Sequence, residues 1–201
     1  MLNSVEKINH FLMRILNLVY LNFLWILFTL LGLVIFGIGP STYAIVSICR
    51  QWVKGNDDLS VLPSFWKYYK ESFKESVIIS WIYLLVGYIL TIDLLYVSNW
   101  YLRVLFLLIA FVYLLSLIFI YPTMAHYNWK GIFLKIKMAF LFGFSQLQYS
   151  LVLILVIITS YLVAVRIFPG ILAFFGISFL FFIITWTANQ IFTRMEMMNA
   201  N

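Results

Sequence analysis

The chain has 201 residues, of which 65% are hydrophobic and only 10% charged, whereas an ordinary soluble domain is about 45–50% apolar and about 25% charged. That balance excludes a soluble globular enzyme or regulator and leaves a single polytopic membrane domain over residues 1–201, since the longest moderately polar stretch runs only from about 50 to 76. Thirteen Lys and Arg stand against seven Asp and Glu; the charges sit in the joins between apolar runs, where they report membrane orientation, and no nucleic-acid partner is expected.

In chain order, Lys7 and Arg14 precede an apolar run far longer than the roughly 7–15 residues of a signal-peptide core, with no small-residue cleavage site, so the run reads as a retained first span. From Ile15 to Cys49 there is no charged residue and no histidine. One helix over that stretch would be about 52 Å long, against a hydrocarbon core about 30 Å thick. The interruption is "GIGP". Gly37 and Gly39 loosen the backbone and Pro40 suits the first turn of a new helix, which makes these three a hairpin turn between spans at about 15–36 and 40–53.

The apolar part of the second of these is only about 20 Å long, so the alternative is five spans plus a re-entrant or interfacial helix. Charge placement favours crossing. With six spans Lys7, Arg14, Arg50, Lys54, Lys67, Lys70, Lys74, Lys130, Lys135, Lys137 and Arg194 share one side and only Arg103 and Arg166 the other; with five, Lys7 and Arg14 change sides. The positive-inside rule then gives six spans with both termini cytoplasmic. Arg50 and Lys54 are expected to snorkel to the inner headgroups beside Trp52, and Ser41, Ala44 and Ser47 to give one face small enough for close packing.

"PSFWKYYKESFKES" follows, an amphipathic helix at about 63–76. It carries Phe65, Tyr69 and Phe73 with Trp66 on one side and Lys67, Lys70, Glu71, Lys74 and Glu75 on the other, as expected of a helix lying in the inner interface. Further spans are expected at about 77–97, 104–122, 147–166 and 171–191, with a second interfacial helix at about 130–145. Pro169 and Gly170 mark the turn of the last hairpin. Pro40 with "WVKG" at 52–55, and Pro122 with "WKG" at 129–131, suggest an internal repeat a few residues deep.

Asp93 is the one acid inside an apolar run, and an intramembrane ionisable residue is a functional-site hypothesis by default. Arg103 and Arg166 lie on the same expected side, so the structural reading is an acid paired with an arginine near the outer boundary; a substrate or proton site is the alternative. His10 and His126 have no second ligand at metal spacing. Cys49, the sole cysteine, is expected to pack as a small apolar residue. Asn17, Asn22, Thr29, Thr185, Thr187, Asn189 and Gln190 suit interhelical hydrogen bonds, or else a polar cavity for a solute. No nucleophile–base pair, phosphate loop or metal cluster is present. The chain is not read as an enzyme, and no cofactor is expected.

"LNFLW" (Leu21 to Trp25), "GPST" (Gly39 to Thr42), "RQWVKG" (Arg50 to Gly55) and "FWKYYKESF" (Phe65 to Phe73) together resemble the YesL family of small integral membrane proteins, whose domain is of unknown function; the resemblance covers about residues 15–76. It implies a protein of the bacterial plasma membrane, in a family often encoded near oligosaccharide ABC importers, their solute-binding proteins and two-component sensors. The expected role is therefore accessory or regulatory to carbohydrate uptake, in contact with importer or sensor subunits. Arg50, Trp52, Lys54, Trp66, Lys67, Lys70 and Lys74 would form the cytoplasmic partner or lipid contact. A transport subunit that itself binds a small solute is the alternative, although the cytoplasmic "EAA" loop of ABC permeases is not found.

Overall fold

In a computed structural model, the described residues are 2–56, 59–127, 129–168 and 170–200, with side chains from Leu12 onward except those of 171, 173 and 198–200. Pro169 and the side chains of Lys7 and His10 lie outside them. Among the described residues there are eight helices and no strand: α1 (Leu2–Leu31), α2 (Ile38–Val53), α3 (Val61–Glu71), α4 (Phe73–Tyr96), α5 (Trp100–His126), α6 (Ile132–Ser145), α7 (Leu147–Ile167) and α8 (Gly170–Ala200). Five stretches are long and apolar enough to cross a membrane, namely Leu12–Leu31, Phe73–Tyr96, Trp100–His126, Leu147–Ile167 and Phe174–Met197. The chain is an all-helical, multi-pass membrane protein, and α2 is not among the five.

The boundaries follow local chemistry. α1 ends where Leu33 and Val34 turn left-handed, at φ +53° and +64°. Asn99 caps α5, its side-chain oxygen accepting the Tyr101 N–H at 2.9 Å. Pro122 lies inside α5 and removes one backbone donor; the helix continues through it to His126, with Phe119 to Met124 buried. Ser72, at φ −115° and ψ +23°, breaks the amphipathic segment, so Phe73 begins α4, its ring still meeting Tyr69 of the α3 stripe at 5.5 Å.

α2 is the most enclosed helix, with Ala44, Ile45, Val46, Ile48 and Cys49 all at 0% exposure. Its direction follows from its contacts. α4 and α5 form an antiparallel hairpin, Tyr83 opposite Ser116 at 2.5 Å and the Tyr113 hydroxyl donating to the Tyr83 carbonyl at 2.9 Å. Moving from Tyr83 to Ser76 on α4 matches moving from Ser116 to Thr123 on α5, so Ser76 and His126 occupy one end of this hairpin. Gly39, in the first turn of α2, lies against Ser76: a Cβ there would be 2.3 Å from the Ser76 carbonyl oxygen. Arg50, in the last turn, reaches His126 at 3.4 Å. Gly39 and Arg50 are separated by about 16 Å along the helix. A helix that meets the same end of a hairpin at both its own ends runs across the hairpin and not beside it.

α3 folds back on α2, and its apolar face is covered by protein. Phe65 (0% exposed) and Tyr69 (8%) pack on Phe28 of α1 at ring distances of 5.0 and 5.3 Å. The expectation of an apolar face resting on lipid is corrected to that extent. The repeat has a structural counterpart. Gly55 and Gly131 both take positive φ, +90° and +102°. Each is followed by a short helix, a break at Ser72 or Gln146, and then a long helix. Ser76 and Ser150, each in the first turn after the break, are both at 0% exposure and donate to the Ser72 and Gln146 carbonyls at 2.5 and 3.3 Å. Ile79 and Leu153, one turn on, are buried in turn.

Candidate functional site

The end expected to hold an ion pair does not assemble one. Asp93 is half-buried on α4, while Arg103 on α5 and Arg166 on α7 are exposed; among the described residues Asp93 makes no ion pair with either. Its backbone carbonyl caps the helix, accepting the Val97 N–H at 3.0 Å.

The polar chemistry gathers at the opposite end, where α2 crosses. Arg50 Nε donates to His126 Nδ1 at 3.4 Å, and His126 Nε2 lies 3.0 Å from Glu196 Oε1 on α8. A guanidinium can only donate, so Nδ1 is the acceptor and the ring proton sits on Nε2, directed at the carboxylate. The half-buried Arg50 has its pKa lowered, chiefly by burial, and stays a cation. Cys49, beside it, is fully buried, and burial pushes its thiol pKa well up. Gln51 donates to the Tyr68 hydroxyl at 3.2 Å, tying α2 to α3.

Behind this chain of polar groups stands an aromatic wall. Tyr127 and Trp129 stack at 4.3 Å with planes 4° apart, Phe142 lies parallel at 5.7 Å from Tyr127, and Phe192 meets Phe142 edge-on at 4.9 Å. The wall joins the end of α5 to α6 and α8 and so holds His126 in place, its ring 4.7 Å from Phe192. A second ion pair lies close by, Lys135 of α6 with Glu75 of α4. Lys135 is 5% exposed, its ammonium enclosed by the protein and met by the more exposed Glu75 carboxylate.

Of the expected contact residues, Trp52 is buried (8% exposed) and is not a free interfacial anchor, whereas Lys54, Lys67, Lys70 and Lys74 are exposed. Trp66 is 45% exposed, with the Lys70 ammonium 4.1 Å from its ring centre. Gly37, Gly39 and Pro40 do lie at the α1–α2 turn, although Gly39 and Pro40 already belong to α2. Trp186 on α8, which the sequence did not single out, separates two pockets. One, of about 370 Å³, is lined by Arg14, Trp52 and Phe182; the other, of about 470 Å³, by Tyr149, Gln190, Thr193 and Arg194. Arg194 donates to the Tyr149 hydroxyl. No group of three or more His, Cys, Asp or Glu able to hold a metal occurs among the described residues. The pairs at 126 and 196, and at 75 and 135, are separated by 70 and 60 positions, so no local pattern could announce them.

Comparison with known proteins places the chain among uncharacterised bacterial relatives. The family described as "Protein of unknown function, DUF624" matches residues 18–94, which takes in the C-terminal part of α1, all of α2 and α3 and most of α4. The uncharacterized protein YteU of Bacillus subtilis (strain 168) is 33% identical over 180 residues, covering 87% of this chain and 80% of that protein. The uncharacterized protein YesL of the same organism is 33% identical over 150 residues, 73% of this chain and 71% of that one. For the uncharacterized protein YesV the figures are 32% over 120 residues, 57% and 58%. No solved structure matches.

Proposed function

The chain belongs to the family of YesL-like proteins of unknown function, DUF624, and from that premise we propose that it is a non-enzymatic accessory or regulatory subunit for carbohydrate uptake, in contact with an ABC importer or its sensor in the bacterial plasma membrane. The link to carbohydrate uptake is what the family resemblance implies. The observation that carries the contact is on α3. Its apolar face is occupied by Phe28, while Lys67, and Lys70 over the Trp66 ring, are exposed on α3, with Lys74 exposed just beyond the break in the first turn of α4; these ammonium groups are available to an acidic surface of a partner subunit.

In this reading the end carrying α2, α3 and α6 faces the cytoplasm, α2 does not cross, and the two termini lie on opposite sides of the membrane. The course of α2 across the α4–α5 hairpin supports this over six spans; the pocket that Arg14 shares with Trp52 and Gly55 at the same end favours a cytoplasmic N-terminus, and the fusion test decides between them. Green fluorescent protein, which fluoresces only when it folds in the cytoplasm, gives the topology test: fused at either terminus in turn, it should be bright only at the C-terminus. Brightness at both would restore six spans. For the partner, the native protein is purified in mild detergent from cells growing on an oligosaccharide. Recovery of importer or sensor subunits in fixed ratio, lost on Lys67→Glu with Lys70→Glu, is expected; a clean monomer would overturn the accessory role.

The pocket beside Trp186 favours a second reading, a transport subunit that itself binds a small solute. An indole face with Gln190, Thr193 and Arg194 around about 470 Å³ is within the size range of ligand sites. Uptake lost in Trp186→Ala at normal expression, with oligosaccharide binding to the isolated monomer, would select this reading over the first.

A further inference from the structure

From Leu30 to Ile38 the sequence is Leu-Leu-Gly-Leu-Val-Ile-Phe-Gly-Ile, without one polar side chain. These residues form the α1–α2 turn, and its tip stands away from the protein: Leu33 is 75% exposed, Val34 45%, Ile35 49% and Phe36 49%. A turn in water normally carries Asn, Asp, Ser or Gly-rich segments whose backbone groups bond to side chains or solvent. Here the backbone supplies its own partners. Each N–H from Gly32 to Ile38 donates to a backbone carbonyl, including Val34 to Thr29 at 2.8 Å, Phe36 to Gly32 at 3.0 Å and Ile38 to Val34 at 3.0 Å.

This closure forces Leu33 and Val34 into the left-handed region, where a β-branched residue such as Val is an outlier. Such strain amounts to about 1–3 kcal/mol per residue. In water the trade would be poor, because solvent satisfies an open N–H. In hydrocarbon each unsatisfied backbone group costs several kcal/mol, and the strained, closed turn is the better solution. The surroundings agree. The exposed apolar surface continues along α1 through Phe23 (59%), Leu30 (61%) and Leu31 (69%). At the foot of the turn Phe28 packs on Trp66 at 5.5 Å, beside Lys70, an indole–ammonium pair suited to the headgroup layer.

We propose that the α1–α2 turn is an intramembrane wedge: its Leu33–Phe36 tip is embedded among acyl chains, with Trp66 and Lys70 at the headgroups above it, and it reaches water on neither side. The inference rests on the reading that α2 does not cross, and it adds that the turn stays in the bilayer. The test uses Leu33→Cys and Phe36→Cys in a Cys49→Ala background, in proteoliposomes of phosphatidylethanolamine and phosphatidylglycerol. Both positions are exposed, so neither substitution disturbs packing. The expected result is loss of labelling by a membrane-impermeant maleimide from either face, recovered in SDS. A nitroxide attached at either site should collide with dissolved oxygen far more often than with a water-soluble nickel chelate. Labelling from the outer face would overturn both the wedge and the non-crossing α2. Labelling from the cytoplasmic face would overturn the wedge alone. Spin–spin coupling between labels would place a second copy of the chain on the tip, and would overturn the lipid assignment.

Discussion

The Glu75–Lys135 pair should respond unequally to loss of its two members. Lys135 is nearly dry, its side chain 7% exposed, whereas the Glu75 side chain is 43% exposed. Removing one partner of a fully buried pair destabilises by about 3–5 kcal/mol, because the survivor is left as an uncompensated charge. Glu75→Gln strands the ammonium, and the half-exposed carboxylate means the lost attraction is partly screened, so the expected loss is about 2–3 kcal/mol. Lys135→Met keeps an unbranched side chain in the same space and leaves a carboxylate that water already reaches, so its expected effect is about 0–1 kcal/mol. The double variant should resemble Lys135→Met alone. Unfolding in mixed micelles by rising SDS, followed by tryptophan fluorescence, measures all three, with a 2.7 kcal/mol difference shifting the equilibrium about a hundredfold. If Lys135→Met proves as damaging as Glu75→Gln, the lysine is not held dry by its partner and the reasoning fails.

Other expectations follow from the same geometry. Gly39→Ala places a methyl 2.3 Å from the Ser76 carbonyl oxygen, and the overpacking should cost about 1–3 kcal/mol and open Cys49 to maleimide in detergent. In the unmodified protein Cys49, fully buried and with its thiol pKa raised by burial, should resist maleimide at pH 7 and react only after SDS; reaction in the native state would contradict its place in the core. The buried Ser41 hydroxyl has no hydrogen-bond partner, so Ser41→Ala should stabilise by about 1 kcal/mol, seen as a higher SDS midpoint; destabilisation would reveal an unrecognised partner. A double-mutant cycle of Tyr83→Phe and Ser116→Ala should return a coupling of about 0.6 to 1.7 kcal/mol, and a value near zero would mean the pair is not formed in the folded protein.

The helices themselves were legible in the sequence because membrane spans announce themselves locally, by apolar length and by charge at their ends. The amphipathic stripe of Phe65 and Tyr69 was likewise visible at helical spacing. What covers it was not. In an interfacial helix the stripe meets lipid, and here it meets Phe28; sequence pattern reports that a face is apolar without naming its partner. Charge counting favours six spans through Lys7 and Arg14 alone, the only two that change sides between the two counts. Arg50, half-buried against His126, and Lys135, paired with Glu75, each have a reason for their position other than orientation, but they stay on one side in either count and do not bear on the choice. Asp93 stood out for the opposite reason, as the one acid in an apolar run, yet the groups that meet are Arg50, His126 and Glu196, which lie on three helices far apart in the chain.

The two Trp-Lys-Gly elbows sharpen this point. Gly55 and Gly131 share a positive φ, and Ser76 and Ser150 share a buried back-bond onto the residue that breaks the preceding helix, so the repeat is conformational where its sequence trace is only a few residues long. Membrane helices tolerate wide exchange among apolar residues, and only the positions that set backbone geometry or satisfy a polar atom retain a signature. What differs between the halves is correspondingly informative. After the first elbow the short helix buries Phe65 and Tyr69 and turns its lysines outward; after the second it turns Lys135 inward to Glu75. The second elbow helix thus commits one lysine to an internal ion pair while Lys137 stays exposed, whereas on the first both Lys67 and Lys70 remain at the surface.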